Sequence, residues 1–123
     1  MSDEAAQPVL ALVRDLMFVS RIGAEARALG LEIRIVREPT KLAGEAGRLL
    51  LVDLNLDGAI EAASSWQQST HGQTIGFVSH VDADTARRAR EAGIGRILAR
   101  SRFVELLPTL LTAPAIDESS EHA

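Results

Sequence analysis

Four places in the sequence set polar side chains at the ends of apolar runs. Arg14 and Asp15 follow VLALV, Asp53 and Asn55 close and follow LLLVD, Ser79 and His80 follow TIGFV, and Arg100 and Ser101 follow IGRILA. Asp53 poses the sharpest question. In RLLLVDLNLDG, residues 48–58, a buried-looking strand ends on a carboxylate, which can serve as a turn signal, a metal ligand or a covalent acceptor. Arg100 carries a rigid fork of donors suited to an anion or a carboxylate. Each residue also has a plainer reading. Asp15 is a good helix N-cap, Asp53 can pair with Arg14 or Arg100, and the DLNLDG turn needs polar residues in any case. Asp57 and Gly58 read as loop and the start of the next helix.

Residues 9–13 read as a short buried strand, and a helix capped by or just after Asp15 runs to about Leu29. Val19, Ile22, Ala26 and Leu29 recur at helical spacing, and Gly30 stops the helix. LEIRIV, 31–36, alternates like a strand near a sheet edge. The link EPTKLAGEAG leaves room for one or two helical turns. LLLVD is apolar on both faces, as a parallel sheet requires. A helix over 59–68, a loop over 69–73 and a strand over 74–79 follow. DADTARRAREAG, 82–93, is a helix that Asp82 or Asp84 can cap and Gly93 stops. A strand over 94–99 and a helix over 102–111, disturbed or bent by Pro108, complete five strand–helix units. Such repetition implies a parallel sheet with helices on both faces. In such a sheet ligands bind beyond the carboxyl ends of the strands, where strand order reverses, so the four polar sets converge on one rim.

The 123 residues suggest a single domain, 9–112, with a flexible stretch over 1–8 and a disordered tail over 113–123. There is no cysteine, which removes disulfides and thiolate metal sites and fits a cytoplasmic setting. The apolar runs are too short to cross a bilayer. The net charge of −4, with no basic block, argues against nucleic acid. The arginines at 87, 88, 90, 96, 100 and 102 read as a solvated face. No GxGxxG follows the first strand, no nucleophile elbow is present, and no histidine spacing suits zinc. His80 and His71 are weak as lone loop histidines, and Trp66 reads as half-buried on the third helix.

The order of elements and their polar ends resembles the receiver domain of two-component response regulators, over roughly residues 9–112. The resemblance implies a flavodoxin-like, doubly wound, three-layer α/β fold with a five-stranded parallel sheet in the order 2-1-3-4-5. It puts Asp53 on the aspartate that accepts a phosphoryl group. Asp15 falls on the more directly ligating member of the acidic pair that holds Mg²⁺, so Asp15, Asp53 and the backbone carbonyl of Asn55 would be the metal ligands. Ser79 falls on the hydroxyl residue closing the fourth strand. AREAGIGRILARSRF keeps the rhythm of helix, AG, strand and basic residue. The chain departs from the family in three places. Arg14 replaces one acid, Arg100 stands where the family has lysine, and the second helix is shortened.

These departures favour an atypical receiver-like signalling or protein-interaction module without phosphotransfer. A phosphorylatable receiver using Asp53, Ser79, Arg100 and Mg²⁺ is the alternative, and a small-ligand enzyme of the same fold the second alternative. The resemblance implies protein partners, a histidine kinase or an output protein. A homodimer through the apolar stripe Phe103, Leu106, Leu107 and Leu110 would be another contact.

Overall fold

A computed structural model describes residues 7–79 and 82–112. The strands are β1 (Val9–Leu12), β2 (Ile33–Val36), β3 (Leu49–Asp53), β4 (Gln73–Val78) and β5 (Arg96–Ala99). The helices are α1 (Leu16–Ala28), α2 (Ala59–Thr70), α3 (Ala83–Glu91) and α4 (Arg100–Thr112). All strands pair parallel in the order β2-β1-β3-β4-β5. The expected doubly wound, flavodoxin-like fold is therefore present.

Strand alternation divides the core between two faces. Val9, Ala11, Leu49, Leu51 and Phe77 turn toward Ile22 and Ala26 of α1 and Phe103, Leu107 and Leu110 of α4. Leu10, Leu12, Leu50, Val52 and Val78 turn toward Ile60, Ala63 and Trp66 of α2 and Ala89 of α3. Every residue of β1 and β3 is buried, whereas edge strand β2 is only partly so. This is why β1 and β3 read as continuous apolar runs and β2 as an alternating one.

The link between β2 and β3 holds a single 3₁₀ turn, Pro39–Lys41, in agreement with the short second helix expected. Leu42 inserts fully into the core there. The indole N–H of Trp66 donates to the Glu45 carbonyl at 2.9 Å, tying the loop to α2. Trp66 is buried rather than half-buried as a result.

Several boundaries differ from expectation. Helix α4 begins at Arg100, directly after β5, so Arg100 and Ser101 lie in its first turn and not in a loop. Pro108 lies inside α4 without ending it. Buried Leu107, Leu110 and Leu111 hold the helix to the sheet on both sides of the proline, which outweighs its missing hydrogen bond. Ser69 and Thr70 extend α2, and their hydroxyls bond back to the Trp66 carbonyl. Leu29 is exposed, because α1 has ended at Ala28. Phe103, Leu107 and Leu110 are core residues, which leaves Leu106 as the half-buried remainder of the apolar stripe. The segments 1–6 and 113–123, and His80, lie outside the described residues.

Candidate functional site

Strand order reverses between β1 and β3, and both strands end on the same rim. Asp53 is the last residue of β3, paired in register with Phe77 of β4, and only 5 % exposed. One of its oxygens, Oδ1, accepts the Asn55 backbone N–H at 3.0 Å. The chain then turns through Gly58, whose φ of 84° suits glycine, into α2. The other oxygen, Oδ2, faces Arg100 Nη2 at 3.7 Å, an ion pair beyond hydrogen-bond distance.

Arg100 reaches this point from the first turn of α4. Its guanidinium lies over the Phe18 ring, 5.2 Å from the centroid, within cation–π range. Phe18 stacks on Phe77 and Phe77 on Phe103, so all three phenylalanines of the chain form one column under the arginine. The Arg100 position is thus set by packing as well as by charge. Nothing in the spacing of Phe18 announces this role, since an aromatic on the first turn of a helix reads simply as core.

Asp15 Oδ1 accepts the backbone N–H groups of Met17 at 2.8 Å and Phe18 at 3.4 Å. It is the N-cap of α1. Arg14 turns away from the rim. It donates to Glu38 at 3.0 Å and to the Arg37 carbonyl at 3.3 Å. Of the two arginines weighed as partners of Asp53, the fold brings in Arg100 and sends Arg14 to the β2 side.

Asn55 is more connected than its turn suggests. Its Oδ1 accepts the Ser79 N–H at 2.9 Å, and its Nδ2 donates to Asp82 Oδ2 at 2.7 Å. Asp82 caps α3 by accepting from the Thr85 N–H at 3.0 Å and the Thr85 hydroxyl at 2.6 Å. The Thr85 hydroxyl and N–H hold the Asp82 carboxyl below the usual carboxylate range, with a smaller contribution from Asn55. The capping role of Asp82 was legible in the sequence, but its bond to Asn55 was not.

Burial pushes the Asp53 carboxyl above its ordinary value, against the opposing pull of the Asn55 N–H and the Arg100 charge. The negative charge of Asp15 adds slightly to the rise. Beside the rim, Asp15, Met17, Phe18, Arg21, Arg100 and Val104 line a cleft of about 290 Å³. Leu16 and Met17 are exposed by 67 % and 81 % at its edge. No group of three or more His, Asp or Glu side chains placed to hold a metal ion occurs among the described residues.

No protein-family model matches the sequence, and no curated protein does. Solved structures match across nearly the whole chain. The phosphorylated cyanobacterial phytochrome response regulator RcpA is similar with a TM-score of 0.73 at 10% identity, over 88% of this chain and 96% of that one. A CheY-like response regulator receiver domain protein from Methanospirillum hungatei gives 0.70 at 15% identity, over 95% and 98%. A response regulator from Burkholderia pseudomallei, with a phosphorylated aspartic acid, a calcium ion and citrate, gives 0.71 at 18% identity, over 95% and 73%.

Proposed function

The chain has the receiver fold of response regulators, and from that premise we propose that it is an atypical receiver module that signals through protein contacts without phosphotransfer. One observation carries the reading. The carboxylate at the family's acceptor position is paired with the Arg100 guanidinium, while Asp15 caps α1. Mg²⁺ demands near-octahedral oxygen ligands. Here the rim offers two carboxylates, each with one oxygen already engaged by backbone N–H, and a cation stands against the second oxygen of Asp53. These residues do not fit Mg²⁺ well, even with the Asn55 carbonyl as a third oxygen. Arg100 supplies positive charge at the same place.

Asp53 then acts as a buried acceptor that fixes the Asn55 backbone N–H at the end of β3, and Ser79 contributes its backbone N–H to the Asn55 side chain. Without phosphotransfer, output depends on a surface met by a partner, an output protein or a kinase-like protein, in the cytoplasm. A homodimer is a further form of such contact. No described helix is long and apolar enough to cross a membrane. The net charge of −4 gives no basis for a nucleic-acid partner. An enzyme of the same fold finds little support. The cleft beside the rim is lined mainly by apolar side chains and arginines, and its one carboxylate, Asp15, is a helix cap.

The test is to incubate the whole chain with Mg²⁺ and acetyl phosphate and weigh it intact. The expected result is an unchanged mass. Gain of one phosphoryl group, absent in Asp53→Asn, would establish the alternative, a phosphorylatable receiver with Asp53 as nucleophile.

A further inference from the structure

We infer that the cleft between the starts of α1 and α4 is a binding site for a small organic acid, its carboxylate held by Arg100 and Arg21 and its apolar body set against Met17, Phe18 and Val104. This goes beyond the proposed function and does not depend on whether Asp53 accepts a phosphoryl group.

The walls set the class of ligand. They come from the beginnings of two helices that pack on the same face of the sheet. The volume of about 290 Å³ lies at the lower end of ligand pockets, roughly 300–1,000 Å³, so the ligand is small. Phe18 and Val104 are only partly buried, and Met17 is exposed. With its exposed neighbour Leu16, Met17 forms an apolar lip that the core does not use. A methionine in that place adapts to an irregular apolar body.

Charge decides what the polar end of the ligand must be. Two guanidiniums and one carboxylate line the cleft. Asp15 Oδ1 is already engaged by the N–H groups of Met17 and Phe18. Arg21 joins no ion pair among the described residues. Arg100 is held in place over Phe18, yet its Nε is buried without a hydrogen-bond partner and its Nη2 stands 3.7 Å from Asp53, beyond hydrogen-bond distance. It is thus fixed with donors to spare, and its planar fork matches a carboxylate. The first turn of α4 carries no acidic residue that would compete for this charge. A single negative charge suits the site. A more highly charged phosphate would meet repulsion from Asp15 in the wall and from Asp53 beyond Arg100.

Phenylacetate, titrated into the whole chain at neutral pH and followed by backbone amide NMR shifts, tests this. Saturable shifts are expected at Met17, Phe18, Arg21, Arg100 and Val104, with a dissociation constant of about 1 mM or tighter, the range open to so small a ligand. Phenylacetamide, which keeps the ring and lacks the charge, and acetate, which keeps the charge and lacks the ring, should each bind about tenfold more weakly. Val104→Trp fills the cleft without touching either arginine and should abolish saturation. Arg21→Gln should weaken binding about threefold and Arg100→Gln about tenfold, the first arginine being the more exposed. If Arg100→Gln does not fold, Val104→Trp and Arg21→Gln carry the test. Shifts centred elsewhere, equal binding of phenylacetamide, or undiminished binding to Val104→Trp would each overturn the inference. Equal binding of acetate would do so too, marking an unspecific anion contact only. Absence of any saturable shift would also overturn it, and would leave Leu16 and Met17 to a macromolecular partner.

Discussion

Replacing Asp53 by asparagine should make this protein more stable at neutral pH, by about 1 kcal/mol. The carboxylate is almost fully buried, and moving an ion out of water costs several kcal/mol in proteins. Against that stands Arg100 at 3.7 Å, worth ~4 kcal/mol at an effective dielectric constant of 20. The Arg100 side chain is 40 % exposed, so solvent screening reduces its contribution to about 1 kcal/mol. Burial wins, as the upward displacement of the Asp53 carboxyl indicates. Asparagine keeps the oxygen that accepts the Asn55 N–H and carries no charge. The pH dependence has a definite sign. The folded state holds the Asp53 proton more tightly than the unfolded state, whose value is near 3.8. Below 3.8 the cost of the buried charge is absent in the parent. It grows as pH rises through the interval up to the folded value, and above that it is fully present. The advantage of Asp53→Asn should therefore be complete at neutral pH and fade in acid. Urea unfolding followed by the fluorescence of Trp66, the single tryptophan and a buried one, gives both stabilities. A variant less stable than the parent at neutral pH, or an advantage that does not change with pH, would refute the reasoning.

Two further changes probe the neighbourhood. Asp15→Ala removes the α1 cap and should cost ~1 kcal/mol in urea unfolding, with Asp15→Asn restoring most of it. A loss that asparagine does not recover would point to a role for the charge itself. Gly76→Ala would place a Cβ 2.7 Å from Leu54 Cγ inside the sheet. It should destabilise by about 1–3 kcal/mol in the same assay, and an unchanged urea midpoint would show that Leu54 has room to move.

The architecture was largely legible because it rests on local patterns. Five apolar runs, glycine stops and helix caps fall where period and composition put them, and LLLVD could be read as a doubly covered strand from its lack of polar alternation. The short link after β2 was visible from its length. Boundaries were less legible where packing decides them. Arg100 begins α4 at once because Phe103 and Leu107 must reach the sheet, and Pro108 is carried by the leucines around it.

The site divides the same way. The sequence by itself determined that Asp15, Asp53, Asn55, Ser79 and Arg100 stand near strand ends, because strand periodicity and element order are written in neighbouring residues. Only the tertiary structure decided what each one faces. Arg14 and Arg100 are equally plausible partners for Asp53 on paper, and the fold sends one to Glu38 and lays the other over Phe18 against the carboxylate. Asn55 and Asp82 are 27 residues apart, and their contact exists because β3 and β4 lie side by side. Direction and distance between side chains on different elements depend on packing of the whole sheet, which no short stretch of sequence encodes.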